Sequence, residues 1–258
     1  MSSRPAARMA ALLALPALGA AAAEVVAARP PMGWSSWNTF GCAISEALIR
    51  NASEQMVALG LADAGYEYVN VDDCWSERER DNATGELVAS RDRFPSGMGA
   101  LGAFVHARGL KFGLYSDRGF RTCQAFPGLL GSEARDVATM AAWGVDFLKN
   151  DACYTISPNV KENLGSGQSA PQWPLPAAYD LYAKTFGALA ASGRAIAHNV
   201  KDGVAPLRAR DVSHLRRCGY DIGDSFGSVV GAFRSCPTGA SSDAGPGFWN
   251  DPDSLEVT

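Results

Sequence analysis

The pattern that most constrains this chain is a regular alternation of strand-like and helix-like segments. Short β-rich runs begin near Met32, Tyr66, Leu110, Val145, Arg194, His214 and Gly247. Between them, apolar residues recur at helical spacing. Leu48, Ala52, Met56 and Leu59 follow a Ser45 cap, and Leu101, Phe104 and Val105 precede Gly109, which can end their helix. Val137, Met140 and Ala141 mark a third helix, and Tyr179, Tyr182, Phe186 and Leu189 a fourth, broken by Gly193. Strands alternating with helical crossovers predict a parallel sheet. No GxGxxG follows the first strand, which disfavours an open dinucleotide-binding sheet. Seven strands at this spacing fit a (β/α)8 TIM-type barrel. At 258 residues and 47% hydrophobic, the chain can bury one large core.

Charge gathers where the strands stop. Asp72 and Asp73 end the second, Tyr115 and Asp117 the third, and Lys149 and Asp151 the fourth. Arg217 and Asp221 lie in the sixth, and Asp251 and Asp253 follow the seventh. In a barrel these ends share the face where active sites are built. In the run Val145 to Cys153, alternation points Phe147, Lys149 and Asp151 the same way. An inward Lys149 would keep Asp151 ionised, as a nucleophile must be. Lys149 and Arg217 in the same ring argue against a metal site. Carboxylates, cations and tryptophans together suit a polyhydroxylated ligand. Glycoside hydrolysis commonly needs two carboxyls flanking the scissile bond. Asp151 and Asp221 could do so, but spacing alone does not choose them over Asp72 or Asp253. Asp224 reads as a first-turn helix carboxylate, and His106, His198 and His214 as structural.

Net charge is −4 with no basic run, so nothing favours nucleic acid or an anionic membrane as a partner. Arg4 and Arg8 precede an Ala/Leu-rich stretch, Met9 to Ala23, too short to span a bilayer comfortably. That layout predicts a secretory signal peptide over residues 1–23, with an alanine-rich leader as the rival reading. No later run reaches membrane length. Six cysteines remain, Cys42, Cys74, Cys123, Cys153, Cys218 and Cys236, without zinc-site spacing. An even count on a secretory route suggests disulfides. Asn51 and Asn82 head glycosylation sequons.

Six stretches carry a resemblance: PMGWSSWNTFGC, GYEYVNVDDCW, RFPSGMGALGAFVHARGLKFGLYSD, WGVDFLKNDAC, RRCGYDIGDSF and AGPGFWNDPD. In order, they resemble the motifs of glycoside hydrolase family 27, the α-galactosidases and α-N-acetylgalactosaminidases. The resemblance implies a retaining, cofactor-free reaction on a (β/α)8 barrel, with a terminal α-galactoside as substrate. By motif, Asp151 would be the nucleophile and Asp221 the acid/base, with the Asp221 pKa above that of Asp151. Trp37, Asp72, Asp73, Tyr115, Lys149, Arg217 and Asp253 would contact the sugar. Cys42 would pair with Cys74 and Cys123 with Cys153, leaving Cys218 and Cys236 for each other. A secreted, lysosomal or vacuolar location would follow.

Two departures stand out. After strand five, Asn199-Val200-Lys201-Asp202 replaces the family's cysteine and the residue that helps read the sugar's 2-position. α-N-Acetylgalactosaminide and β-L-arabinopyranoside therefore stay open beside α-galactoside, as does a vestigial sugar-binding barrel. The chain also stops just past strand seven, where the family continues through an eighth strand and a β-domain. Residues 24–258 are thus expected to be an incomplete barrel, poorly stable when expressed alone.

Overall fold

A computed structural model of the chain describes residues 25–155, 175–201, 206–219, 221–237 and 244–254. The predicted signal peptide and most of the Gly/Pro/Ser-rich loop from Ser157 lie outside the described residues, as does Asp202. Seven parallel strands form one sheet in sequence order: β1 Gly33–Ser35, β2 Tyr68–Val71, β3 Lys111–Asp117, β4 Phe147–Asp151, β5 Ala197–Val200, β6 Leu215–Arg217 and β7 Trp249–Asp251. The crossovers carry α1 Trp37–Phe40, α2 Glu46–Ala58, α3 Gly97–His106, α4 Glu133–Ala142, α5 Leu175–Ala191, α6 Pro206–Ala209 and α7 Phe226–Ser235. Consecutive strands are all neighbours, as the (β/α)8 topology requires.

Strand alternation sorts side chains into two layers. Val69, Val71, Phe112, Leu114 and Leu148 point outward and join Ile49, Met56, Leu101, Val105, Val137 and Met140 of the helices in the main core. Tyr68, Phe147, Ala197 and Leu215 point inward and pack together with Trp249 beside them. Residues of β2, β4, β5, β6 and β7 can meet only if the sheet curls, so this inner cluster is the floor of a barrel. Gly113 is required there, because a Cβ would run into Asn70 Oδ1. Near the floor the segment before β1 links the two ends of the strand order: Gly247 N and Trp249 Nε1 both donate to Ala27 O, at 3.0 and 2.8 Å.

Two sequence readings shift in detail. The buried face of α2 runs through Ile49, Ser53 and Met56, while Leu59 lies outside the helix and is 70% exposed. Ser53 can be buried because its hydroxyl donates to Ile49 O at 2.8 Å. β6 stops at Arg217, which leaves Asp221 on the loop to α7 instead of within the strand. The predicted caps hold: Ser45 Oγ accepts from Leu48 N at 3.2 Å, and Gly109 adopts φ 73° after α3. Cys42–Cys74, Cys123–Cys153 and Cys218–Cys236 are joined as disulfides.

Candidate active site

β4 supplies the centre of the site. Its odd positions face inward: Phe147 on the floor, Lys149 above it, Asp151 at the rim. Its even positions face the helices. Leu148 sits in the core, and Asn150 donates to His198 Nε2 at 3.1 Å and Thr185 Oγ1 at 3.4 Å. Asp151 pairs in register with Asp117 and Lys149 with Tyr115. Asp151 Oδ2 accepts from Tyr115 OH at 3.0 Å, and Oδ1 from Ala152 N at 2.8 Å. Burial penalises the charge on Asp151, but Lys201, Lys149 and Arg217, with the Ala152 N–H, hold its carboxyl below the usual range. Burial also opposes the charge on Lys149, yet Asp72 and Asp151 push it up to about 12.

Asp221 stands opposite. Its Oδ1 accepts from Lys201 Nζ at 2.7 Å and from an Arg217 nitrogen at 3.0 Å. Lys201 Nζ also lies 3.5 Å from Asp151 Oδ1. Those two reaches keep the carboxylate oxygens at most about 6 Å apart; retaining glycosidases hold their carboxyls about 5–5.5 Å apart and inverting ones about 6.5–9.5 Å. Asp221 is 64% exposed, against 8% for Asp151. Partial burial raises its pKa, but Lys201 and Arg217 outweigh that and draw it down to about 2. The expectation set Asp221 above Asp151; both carboxyls are instead drawn below the ordinary range. The expectation weighed Lys149 on Asp151 and left out Lys201, which adds a second cation to Asp221.

The remaining expected residues line the same cavity. Trp37 opens α1 directly after β1 and borders the hollow. Asp72 accepts from Lys149 Nζ at 2.7 Å. Asp73 accepts from Thr122 Oγ1 at 2.8 Å, Gln124 N at 2.9 Å and Cys74 N at 2.7 Å. Alternation would have split these two neighbours across the sheet, but β2 ends at Val71 and the chain turns, so both border the cavity. Asp253, at φ 77°, accepts from Arg217 at 2.7 Å and Ile222 N at 2.9 Å. It is an anchor for the Asp221 loop.

The sequence reading placed Lys201 only in the stretch that would read the sugar's 2-position and did not foresee its contact with the two carboxyls. Its signal was there: Asn199 and Lys201 lie two apart, so an inward Asn199 brings the lysine in with it. Asn199 indeed donates to Asp251 Oδ2 at 2.5 Å. The histidines do have partners, away from the cavity. His106 meets Asp146 at 2.7 Å, and His198 faces Val212 O at 2.9 Å, its pKa pushed down to about 3 by burial. Among the described residues, Asp117, Cys123, Asp151 and Cys153 crowd together, but the two sulfurs are bonded to each other and not available as thiolates.

Known proteins carry the same architecture. The family described as alpha galactosidase A matches residues 29–258. An α-galactosidase of Cyamopsis tetragonoloba is 42% identical over 232 residues, covering 88% of this chain and 52% of that protein. α-Galactosidase I of Mortierella vinacea superposes with a TM-score of 0.75 at 31% identity, over 92% of this chain and 62% of its own. The Saccharomyces cerevisiae α-galactosidase solved with raffinose gives 0.76 at 29% identity, over 88% and 52%. The chain spans about half the length of the curated relatives it matches. With the seven-stranded barrel topology and a family match over most of its length, this chain belongs to glycoside hydrolase family 27, the α-galactosidase A family.

Proposed function

We propose that residues 24–258 form the catalytic barrel of a retaining α-galactosidase that releases terminal α-linked galactose by double displacement. Asp151 attacks the anomeric carbon while Asp221 protonates the leaving oxygen, and Asp221 then takes a proton from the water that frees the sugar. The observation that carries the reading is the close approach of these two carboxyls at one cavity, nearer than the inverting range and linked by one ammonium. Tyr115 and Lys149 keep Asp151 aimed and ionised. Trp37 offers an aromatic face to the sugar's C–H side, and Asp72 and Asp73 accept its hydroxyls. Arg217 borders the same cavity and holds Asp221 and Asp253.

Three disulfides suit an oxidising compartment, and Asn51 and Asn82 are exposed, as glycosylated positions must be. Among the described residues no helix is long and apolar enough to cross a membrane. We read residues 1–23 as a signal peptide and the destination as secreted, lysosomal or vacuolar. A second reading, a sugar-binding barrel with little turnover, is favoured by the tie between Lys201 and Asp221, which disarms the acid. A panel of aryl α-galactoside, α-N-acetylgalactosaminide and β-L-arabinopyranoside decides. The α-galactoside should turn over fastest, and Asp151→Asn should abolish its turnover. Binding without turnover in the wild type favours the second reading, and full activity of D151N removes Asp151 as nucleophile.

A further inference from the structure

One cation at the site takes no chemical step in the reaction above. The Lys201 ammonium reaches both carboxyls, 2.7 Å from Asp221 and 3.5 Å from Asp151. It is not a wandering surface lysine, since its side chain is only 10% exposed. Its backbone is pinned from behind by α5. Tyr182 OH donates to Lys201 O, and Lys201 N donates back to Tyr182 OH at 3.3 Å. The same hydroxyl lies 3.4 Å from Asp151 O. One buried phenol thus fixes the main chains of β4 and of the residue after β5 together.

Granting the reaction proposed above, we infer that Lys201 is a positioning residue: its ammonium bridges Asp151 and Asp221 across the cavity, and Asp221 takes up a proton only as that bridge loosens. The groups facing Asp221 are Lys201 from the end of β5, Arg217 from β6, Asp253 through Arg217, and Asp151 from β4 through Lys201, with Lys149 lining the same cavity. Lys201 makes the shortest of its ion contacts. An ammonium so close favours the carboxylate form, which is ready to act as base but not as acid. The first half-reaction then depends on how far the substrate draws Lys201 away. Substrates with good leaving groups, which need no proton, are spared that dependence.

Lys201→Met and Lys201→Arg test this in the full chain, with the Asp221 carboxyl followed by 13C NMR titration beside pH–rate profiles. In K201M the Asp221 midpoint should rise by about 1–3 units, the range one nearby opposite charge commands. The alkaline limb of kcat/KM should rise with it. Above the wild-type limb, the ratio of alkyl to aryl α-galactoside kcat/KM should grow several-fold. K201R should restore both the wild-type limb and the ratio. An active K201M with unchanged midpoint and limb overturns the inference while the proposed function stands. A wild type without α-galactosidase turnover overturns that function, and with it the reaction Lys201 would serve. If K201M does not fold, the wild-type titration decides: an Asp221 midpoint at the ordinary value of about 3.9 or higher overturns the bridge, and one well below supports it.

Discussion

Asp72 and Asp73 are sequence neighbours with different electrostatic fates. Asp72 meets the Lys149 ammonium at 2.7 Å. Asp73 is 2% exposed and bonded only by neutral donors, so burial dominates and raises its carboxyl to about 6. Folded Asp73 therefore holds its proton more tightly than the unfolded chain does. Its contribution to stability is complete below the unfolded value near 3.8 and is lost as pH rises through about 6. The loss is on the order of 3 kcal/mol. Urea unfolding at about pH 4 and about pH 7 should show the stability of wild type relative to Asp73→Asn falling by that order as pH rises. A difference independent of pH contradicts the assignment.

At the scale of elements, β4 shows how one strand serves two layers. Its inward face carries Phe147, Lys149 and Asp151, and its outward face Leu148 in the core. Leu148 is fully buried, so Leu148→Ala should cost about 2–5 kcal/mol in urea unfolding, from lost transfer energy plus a cavity under the nucleophile strand. A cost below about 1 kcal/mol would mean the site relaxes freely around the gap. This strand was legible in advance because its pattern is local: alternation alone aims Lys149 and Asp151 together. Asp73 and Asp221 were less legible. Each sits just past a strand end, where a turn replaces alternation and only the three-dimensional path of the loop aims the carboxyl. Lys201 was visible as a change of residue type, but its partners come from β4 and from the loop after β6, 50 and 20 positions away in the chain.

For the whole molecule, the order of strands was readable from spacing, because parallel neighbours joined by helical crossovers have few alternatives. Periodicity does not carry the curl of the sheet around its axis. That shows in the inner cluster of Tyr68, Phe147, Ala197 and Leu215, and in the Ala27 carbonyl that links the segments at the two ends of the order. Curling is what brings Asp151 of β4 and Asp221 of the loop after β6 to one cavity, and the proposed reaction depends on that encounter. The most direct test is covalent trapping. A 2-deoxy-2-fluoro-α-galactosyl fluoride, or its 5-fluoro counterpart, should leave a glycosyl adduct on the chain that mass spectrometry of its peptides locates at Asp151. No adduct, or one on another residue, would contradict the account.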